Sequence, residues 1–227
     1  MMKLKQNARI AGLWYLFMGI TGAIGLMYVP SQIQVDGDLL ATVQNIREKE
    51  GLFRSGILSN ILCQTSFLFL ALQFRKVFDG VSDYWSKLLQ ILVTASVPIA
   101  IFNAVLLIGS LFFAKGEAFL SGFEAGQQQS MAIFFLRVNQ FGTQSVEIFW
   151  GLWLLPLGML FIRAPFMPNL VGYLLLANAT AYVLEFLLSV MASPLHDQIV
   201  SVLMIPMSVG EFSAILWLLI MGVKKGY

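Results

Sequence analysis

Charge is what this chain has least of. Asp, Glu, Lys and Arg make up 11% of its 227 residues and hydrophobic residues 58%, whereas ordinary soluble domains carry roughly 25% and roughly 45–50%. That imbalance excludes the soluble classes. A single cysteine, Cys63, excludes a disulfide framework and a Cys-based metal site. A single histidine, His196, sits in the segment PLHDQ beside Asp197, which disfavours His-ligated metals, a haem with two His ligands and a Ser-His-Asp triad. Neither a cofactor nor a metal is expected. G-x-x-x-x-G-K-[ST], H-E-x-x-H and G-x-S-x-G are all missing, so no enzyme class announces itself. The net charge of +2 is small, and the basic residues are scattered over short loops rather than forming a stripe for phosphates. Nucleic acid is not an expected partner.

What is present is apolar sequence in runs of about 20 residues, the length that crosses a hydrocarbon core of ~30 Å. Six spans follow, near 10–29, 52–74, 86–113, 131–161, 170–191 and 198–223. The runs are continuous and do not alternate with period two, which excludes a transmembrane barrel. The expected fold is all-α, one integral-membrane bundle of six helices over 1–227 with short loops. Its expected partners are membrane lipids and a small-molecule ligand, and no motif sets an oligomeric state. The basic N-terminus leads into an apolar stretch too long for a signal-peptide core and without a convincing A-x-A site, so it reads as an uncleaved first span.

Six spans place both termini on one side. Lys3, Lys5, Arg9, Arg75, Lys76, Lys87, Arg163, Lys224 and Lys225 share that side, against Arg47, Lys49, Arg54 and Lys115 opposite. By the positive-inside rule both termini are cytoplasmic, in a cytoplasmic (inner) membrane. Trp14, Trp85, Trp150, Trp153 and Trp217 lie toward the same ends, where indoles favour the interface. The sizeable outer segment is 30–51, where Asp36 or Asp38 would cap a short helix with Leu39, Val43 and Ile46 on one face and Arg47, Glu48, Lys49 and Glu50 at the wet end. It reads as a lid over the outer mouth or as an interfacial helix on the headgroups. Residues 115–129 read as a second, polar outer loop.

The string L-W-x-L-x-x-G occurs at 13–19, 152–158 and 216–222. An inverted repeat would put it at opposite faces of the membrane, but Trp14 and Trp153 both lie toward the cytoplasm. An interfacial Trp beside a packing Gly explains it better, and Gly19, Gly22 and Gly25 likewise read as close helix packing.

The candidate site comes from polar residues inside these runs. Glu147, Glu185 and Glu211 each lie within a span, where a carboxylate costs several kcal/mol unless protonated, paired or wetted. Arg137, Gln140, Gln144 and Glu147 follow steps of three, four and three, an arc of roughly 80° at ~100° per residue. Asn178, Tyr182 and Glu185 share a face of span five, and Ser201, Ser208 and Glu211 a face of span six; Asn60 and Gln64 come from span two, Thr94 and Asn103 from span three. Lipid cannot hydrogen-bond these groups, so they should converge inside the bundle.

With each span's centre taken as the midplane, Glu147 and Glu211 are level near it, Glu185 is about 7 Å outward and Arg137 about 15 Å outward. Arg54 or Arg137 should then pair with Glu185 in an ionised outer cluster, while Glu147 and Glu211 should titrate as a coupled pair. For Asn60, Gln64, Asn103 and Asn178 the competing reading is glue between helices. Pro206, five residues before Glu211, removes a backbone donor and would expose a carbonyl near the site; Pro98 and Pro156 would act similarly.

Four stretches, ARIAGLWYL at 8–16, EGLFRSGI at 50–57, FWGLWLLPLGMLFIRAPFMPNLVGYLLL at 149–176 and GEFSAILWLLIMGV at 210–223, together resemble a bacterial family of six-helix membrane proteins catalogued as domain of unknown function 4386. The resemblance implies the fold and the membrane location and supplies no activity. Members often carry a His in the fourth helix where this chain has Trp153, so a His-dependent role would not carry over. The leading expectation is binding of a small solute, or its proton-coupled movement, through Glu147 and Glu211. The rivals are a non-catalytic sensing or interaction module and, third, an intramembrane lipid-acting enzyme.

Overall fold

Apolar runs with no water to satisfy their backbone must hydrogen-bond within themselves, and each of the six expected spans is helical in the computed structural model. Residues 2–191, 196–224 and 226 are described, with 196 and 197 described by backbone alone. In chain order they form α1 (Met2–Gly22), a π-helical stretch (Ala23–Tyr28), α2 (Val29–Ile33), α3 (Leu39–Glu48), α4 (Glu50–Val77), α5 (Asp83–Lys115), a 3₁₀ turn (Ala118–Leu120), α6 (Ala125–Arg163), α7 (Asn169–Val190) and α8 (His196–Ile220). No strand occurs among the described residues. Six helical stretches are long and apolar enough to cross a membrane, the first running unbroken through Met2–Ile33. The chain is a multi-pass membrane protein. Of the PLHDQ segment, 194 and 195 lie outside the described residues, as do the side chains of His196 and Asp197. Pro98, Pro156 and Pro206 sit inside helices that continue past them.

The chain divides into two compact units. The first comprises Met1–Phe17, Ser66–Val97 and Gln144–Tyr227, the second Met18–Thr65 and Pro98–Thr143.

In the second unit, Val29, Ile33, Phe53, Ile57, Leu111 and Leu136 form an apolar core into which α3 drops Val43 and Ile46. Asp38 caps α3 as expected, its carboxylate accepting from the Ala41 N–H at 2.8 Å. Leu39, expected on the same face, is exposed, because as the first helical residue it overhangs the contact. Three side chains then pin the α3 segment. Asn45 Nδ2 donates to the Ile33 carbonyl at 3.0 Å, Arg47 Nε to that of Ala114 at 3.0 Å, and Lys49 Nζ to that of Gln32 at 2.9 Å. Those carbonyls close α2 and α5 and lack intrahelical partners, so α3 supplies their caps. It is a strap seated on protein by one face. Gly25 approaches α4 so closely that a Cβ there would lie 2.8 Å from the Asn60 nitrogen, and a Cβ on Gly22 would lie 3.3 Å from Cys63 Sγ. Gly19, expected to pack likewise, is exposed.

Aromatic rings fill the first unit. Trp153 is 1% exposed, with Phe67, Tyr15 and Phe74 centred 4.7, 5.6 and 6.5 Å away. This corrects its assignment to the interface: rings from α1 and α4 surround the indole. Trp85 is partly exposed and takes the Arg163 guanidinium 5.7 Å from its ring centre. The three glycines of the repeated string also part company. Gly19 is exposed, Gly158 packs against α7, and Gly222, at φ 72°, ends α8. The string thus has no common structural role.

Candidate functional site

Close helix contacts set the register of the first unit. A Cβ on Gly158 would stand 2.9 Å from the Gly172 carbonyl, and one on Gly151 would stand 2.9 Å from Tyr182 Cβ and 3.1 Å from the Ala179 carbonyl. α6 and α7 are therefore antiparallel and nearly in backbone contact. One turn before Gly151, Glu147 is carried to Glu185, one turn after Tyr182, and the two side chains approach each other. α8 meets α7 through Gly210, where a Cβ would lie 2.8 Å from both Leu174 O and Asn178 Cβ and 3.0 Å from Asn178 Nδ2. α1 meets α8 at Gly12, where a Cβ would be 3.0 Å from Leu218 Cβ.

Two polar groupings result. The first is the carboxyl pair Glu147–Glu185, with Tyr182 on the same face of α7. The second surrounds the start of the Gly210–Glu211 step in α8. Asn178 is wholly buried beside Gly210, and Tyr15 is also wholly buried. Neither amide atom of Asn178 nor the Tyr15 hydroxyl has a hydrogen-bond partner among the described residues. Asn178 thus holds buried, unspent hydrogen-bonding capacity beside Gly210. Ion pairs among the described residues join Arg54 to Glu50, Lys87 to Asp83, and Lys115 to Glu50 and Glu117, and none reaches Glu147 or Glu211.

This geometry corrects one pairing. Glu147 meets Glu185 rather than sharing a level with Glu211. α6 has 39 residues and at 1.5 Å each runs about 58 Å, nearly twice a ~30 Å hydrocarbon core. The middle of such a helix does not mark the midplane. Trp153, which touches Tyr15, is six residues past Glu147, an axial offset of about 9 Å. The arginines expected for Glu185 are engaged inside the second unit. Arg54 Nε bonds Glu50 at 2.7 Å, and Arg137, exposed, donates to Gln140 at 3.0 Å, which donates on to Gln34 at 3.0 Å.

Gln144 belongs to the first unit and is partly buried. Asn60, Gln64, Asn103 and Arg137 belong to the second. Asn103 Nδ2 donates to the Asn139 carbonyl and Thr143 Oγ1, both at 3.0 Å, and Asn139 Nδ2 donates back to the Asn103 carbonyl at 2.9 Å. That reciprocal clasp is glue between α5 and α6. Asn60 is buried at the tight approach of Gly25, and Gln64 is buried. Thr94, Ser201 and Ser208 do not turn inward; all are exposed, and Ser208 Oγ is occupied by the Met204 carbonyl at 2.9 Å. Sequence reasoning missed Tyr15 and Asn139. Tyr15 adjoins Trp14 and passes for a belt aromatic, although its hydroxyl inside an apolar run is a polar signal. Asn139 lies off the polar arc, and its signal is the bare presence of an amide in a span.

A family model described as Domain of unknown function (DUF4386) matches residues 10–222. No curated protein matches the chain, and no solved structure does.

Proposed function

The chain belongs to the DUF4386 family, a family described without an activity, and from its site we propose one: a proton-exchanging solute site inside the membrane. Glu147 and Glu185 share a proton there and release it as a small solute binds or passes, and Glu211 provides the further carboxyl. The observation that carries this reading is the approach of the Glu147 and Glu185 side chains where α6 and α7 lie nearly backbone to backbone. Two carboxylates brought together in low dielectric repel each other, and a proton held between them relieves that repulsion. Intramembrane carboxyls mark ion pathways and proton relays because they have no cheap structural use. A structural pair would be replaceable by Gln without consequence for any solute. The proposed setting is the cytoplasmic membrane of a bacterial cell, with both termini cytoplasmic.

The test reconstitutes the protein in vesicles containing a trapped pH dye and imposes gradients of cationic, neutral and anionic small solutes. At least one gradient should move protons with wild-type protein and not with Glu147→Gln. If none does, or if Glu147→Gln and Glu185→Gln match wild type, the reading falls and a sensing or interaction module replaces it.

A further inference from the structure

Between Met131 and Phe141, α6 carries a single charge, Arg137. The side chain is exposed, and the residues that share its stripe one turn to either side, Phe134 and Phe141, are 55% and 68% exposed. Large rings exposed along a membrane helix face lipid, and a guanidinium on such a stripe is costly without an anion. No ion pair among the described residues includes Arg137. Its hydrogen bonds show what it still needs. Arg137 Nη1 donates to Gln140 Oε1 at 3.0 Å, and Gln140 Nε2 donates to Gln34 Oε1 at 3.0 Å. Both amide oxygens of this chain are engaged, so what remains at its two ends is N–H: Nε and Nη2 of Arg137 and Nε2 of Gln34. Donors alone, one set of them a planar guanidinium fork, fit an oxyanion. In a bilayer the oxyanion that every phospholipid carries is phosphate. From this geometry we infer that Arg137 and Gln34 hold the phosphodiester of a membrane phospholipid, whose acyl chains lie along Phe134 and Phe141.

The setting selects a lipid over a free ion. Rings on both sides of the guanidinium offer apolar surface that an acyl chain covers and inorganic phosphate does not. Arg137 stands about 9 Å along α6 from Met131, where the apolar run begins, within an arginine's reach of the headgroup boundary. An unrestrained arginine at that depth extends toward water. Here Gln140, one turn further from the polar 115–129 segment, holds the guanidinium back, so the anion comes to it. Headgroup preference follows from the same donors. A headgroup whose only charge is the phosphate fits better than one that adds an ammonium, which the guanidinium repels. Gln34 closes α2, so a lipid bound at both ends of the chain fastens the end of α2 to α6. The site lies wholly in the second unit and does not depend on the carboxyl pair.

The experiment counts lipid bound to the full-length protein in detergent by native mass spectrometry while dioleoylphosphatidylglycerol, dioleoylphosphatidylethanolamine, dioleoylglycerol or inorganic phosphate is added. The phosphatidylglycerol should bind saturably and the ethanolamine lipid more weakly. Dioleoylglycerol, with the same acyl chains and no phosphate, should show no saturable site. Arg137→Gln should raise the phosphatidylglycerol Kd by about tenfold or more, and Gln34→Leu by a smaller factor. Arg54→Gln, which removes an equal charge from the same unit at its pair with Glu50, should leave that Kd unchanged. Wild-type affinity in Arg137→Gln, or an equal loss in Arg54→Gln, overturns the inference. So does dioleoylglycerol binding as tightly as phosphatidylglycerol, a result that needs no variant to fold. Displacement of the lipid by inorganic phosphate at comparable concentration makes the ligand a free phosphate and overturns it too.

Discussion

Replacing Gly210 by alanine tests the contact on which the site is built. A methyl group there would lie 2.8 Å from the Leu174 carbonyl oxygen, 2.8 Å from Asn178 Cβ and 3.0 Å from Asn178 Nδ2. Comfortable carbon contacts begin near 3.5 Å, so roughly half an ångström or more must be found. The first two atoms are backbone or fixed to it, so no side-chain rotation supplies that space and α7 and α8 must separate. Overpacking of this kind costs about 1–3 kcal/mol. Removing a glycine from a helix interior returns about 0.5–1 kcal/mol, so the clash wins and the net loss is about 0.5–2 kcal/mol. Gly126→Ala in α6 is the control, since nothing lies within 4 Å of its added methyl. It should be neutral or stabilising by up to about 1 kcal/mol. Unfolding of the detergent-solubilised proteins by increasing SDS, followed by circular dichroism, gives both values. If Gly210→Ala is as stable as Gly126→Ala, the close approach of α7 and α8 described here is wrong.

Three further outcomes follow. Asn103→Leu should destabilise by about 0.6–1.7 kcal/mol, the range of interhelical hydrogen bonds in membranes, and a double-mutant cycle with Asn139→Leu should show coupling, whereas additive losses would deny the clasp. Trp153→Ala should cost about 3–5 kcal/mol as a buried large-to-small change, while Trp85→Ala at the partly exposed position should cost distinctly less in the same SDS titration. Reporter fusions at the N-terminus, near residue 80 and at the C-terminus should all report cytoplasm from the nine-to-four Lys and Arg asymmetry; an outside signal at any of them would refute the orientation.

The six helices were legible in the sequence because a bilayer leaves the backbone no alternative and makes each span a long apolar run. The Asp38 cap was legible for a similar reason: one side chain satisfies one local N–H. Partner choice is different, since it depends on helix register. Glu147 meets Glu185 because Gly151, Gly158 and Gly172 let α6 and α7 lie nearly backbone to backbone, and no count from a hydropathy midpoint contains that offset. Trp153 and Trp85 are the same residue type, yet one is enclosed by Tyr15, Phe67 and Phe74 while the other meets Arg163. Burial of an indole is decided by its neighbours on other helices. For Asn178, the face it shares with Tyr182 and Glu185 could be read from spacing. Its unspent hydrogen-bonding capacity beside Gly210 could not.

The central claim is that a proton is shared between Glu147 and Glu185 within the membrane, and carboxyl infrared absorption of the wild-type protein, Glu147→Gln, Glu185→Gln and the double variant addresses it directly. Gln keeps the shape of Glu and cannot carry the carboxyl band. At neutral pH the wild-type protein should show a protonated-carboxyl band that shifts or weakens in either single variant and loses the pair's contribution in the double variant. A wild-type spectrum with no protonated carboxyl at neutral pH, or one unchanged by either substitution, would contradict the account.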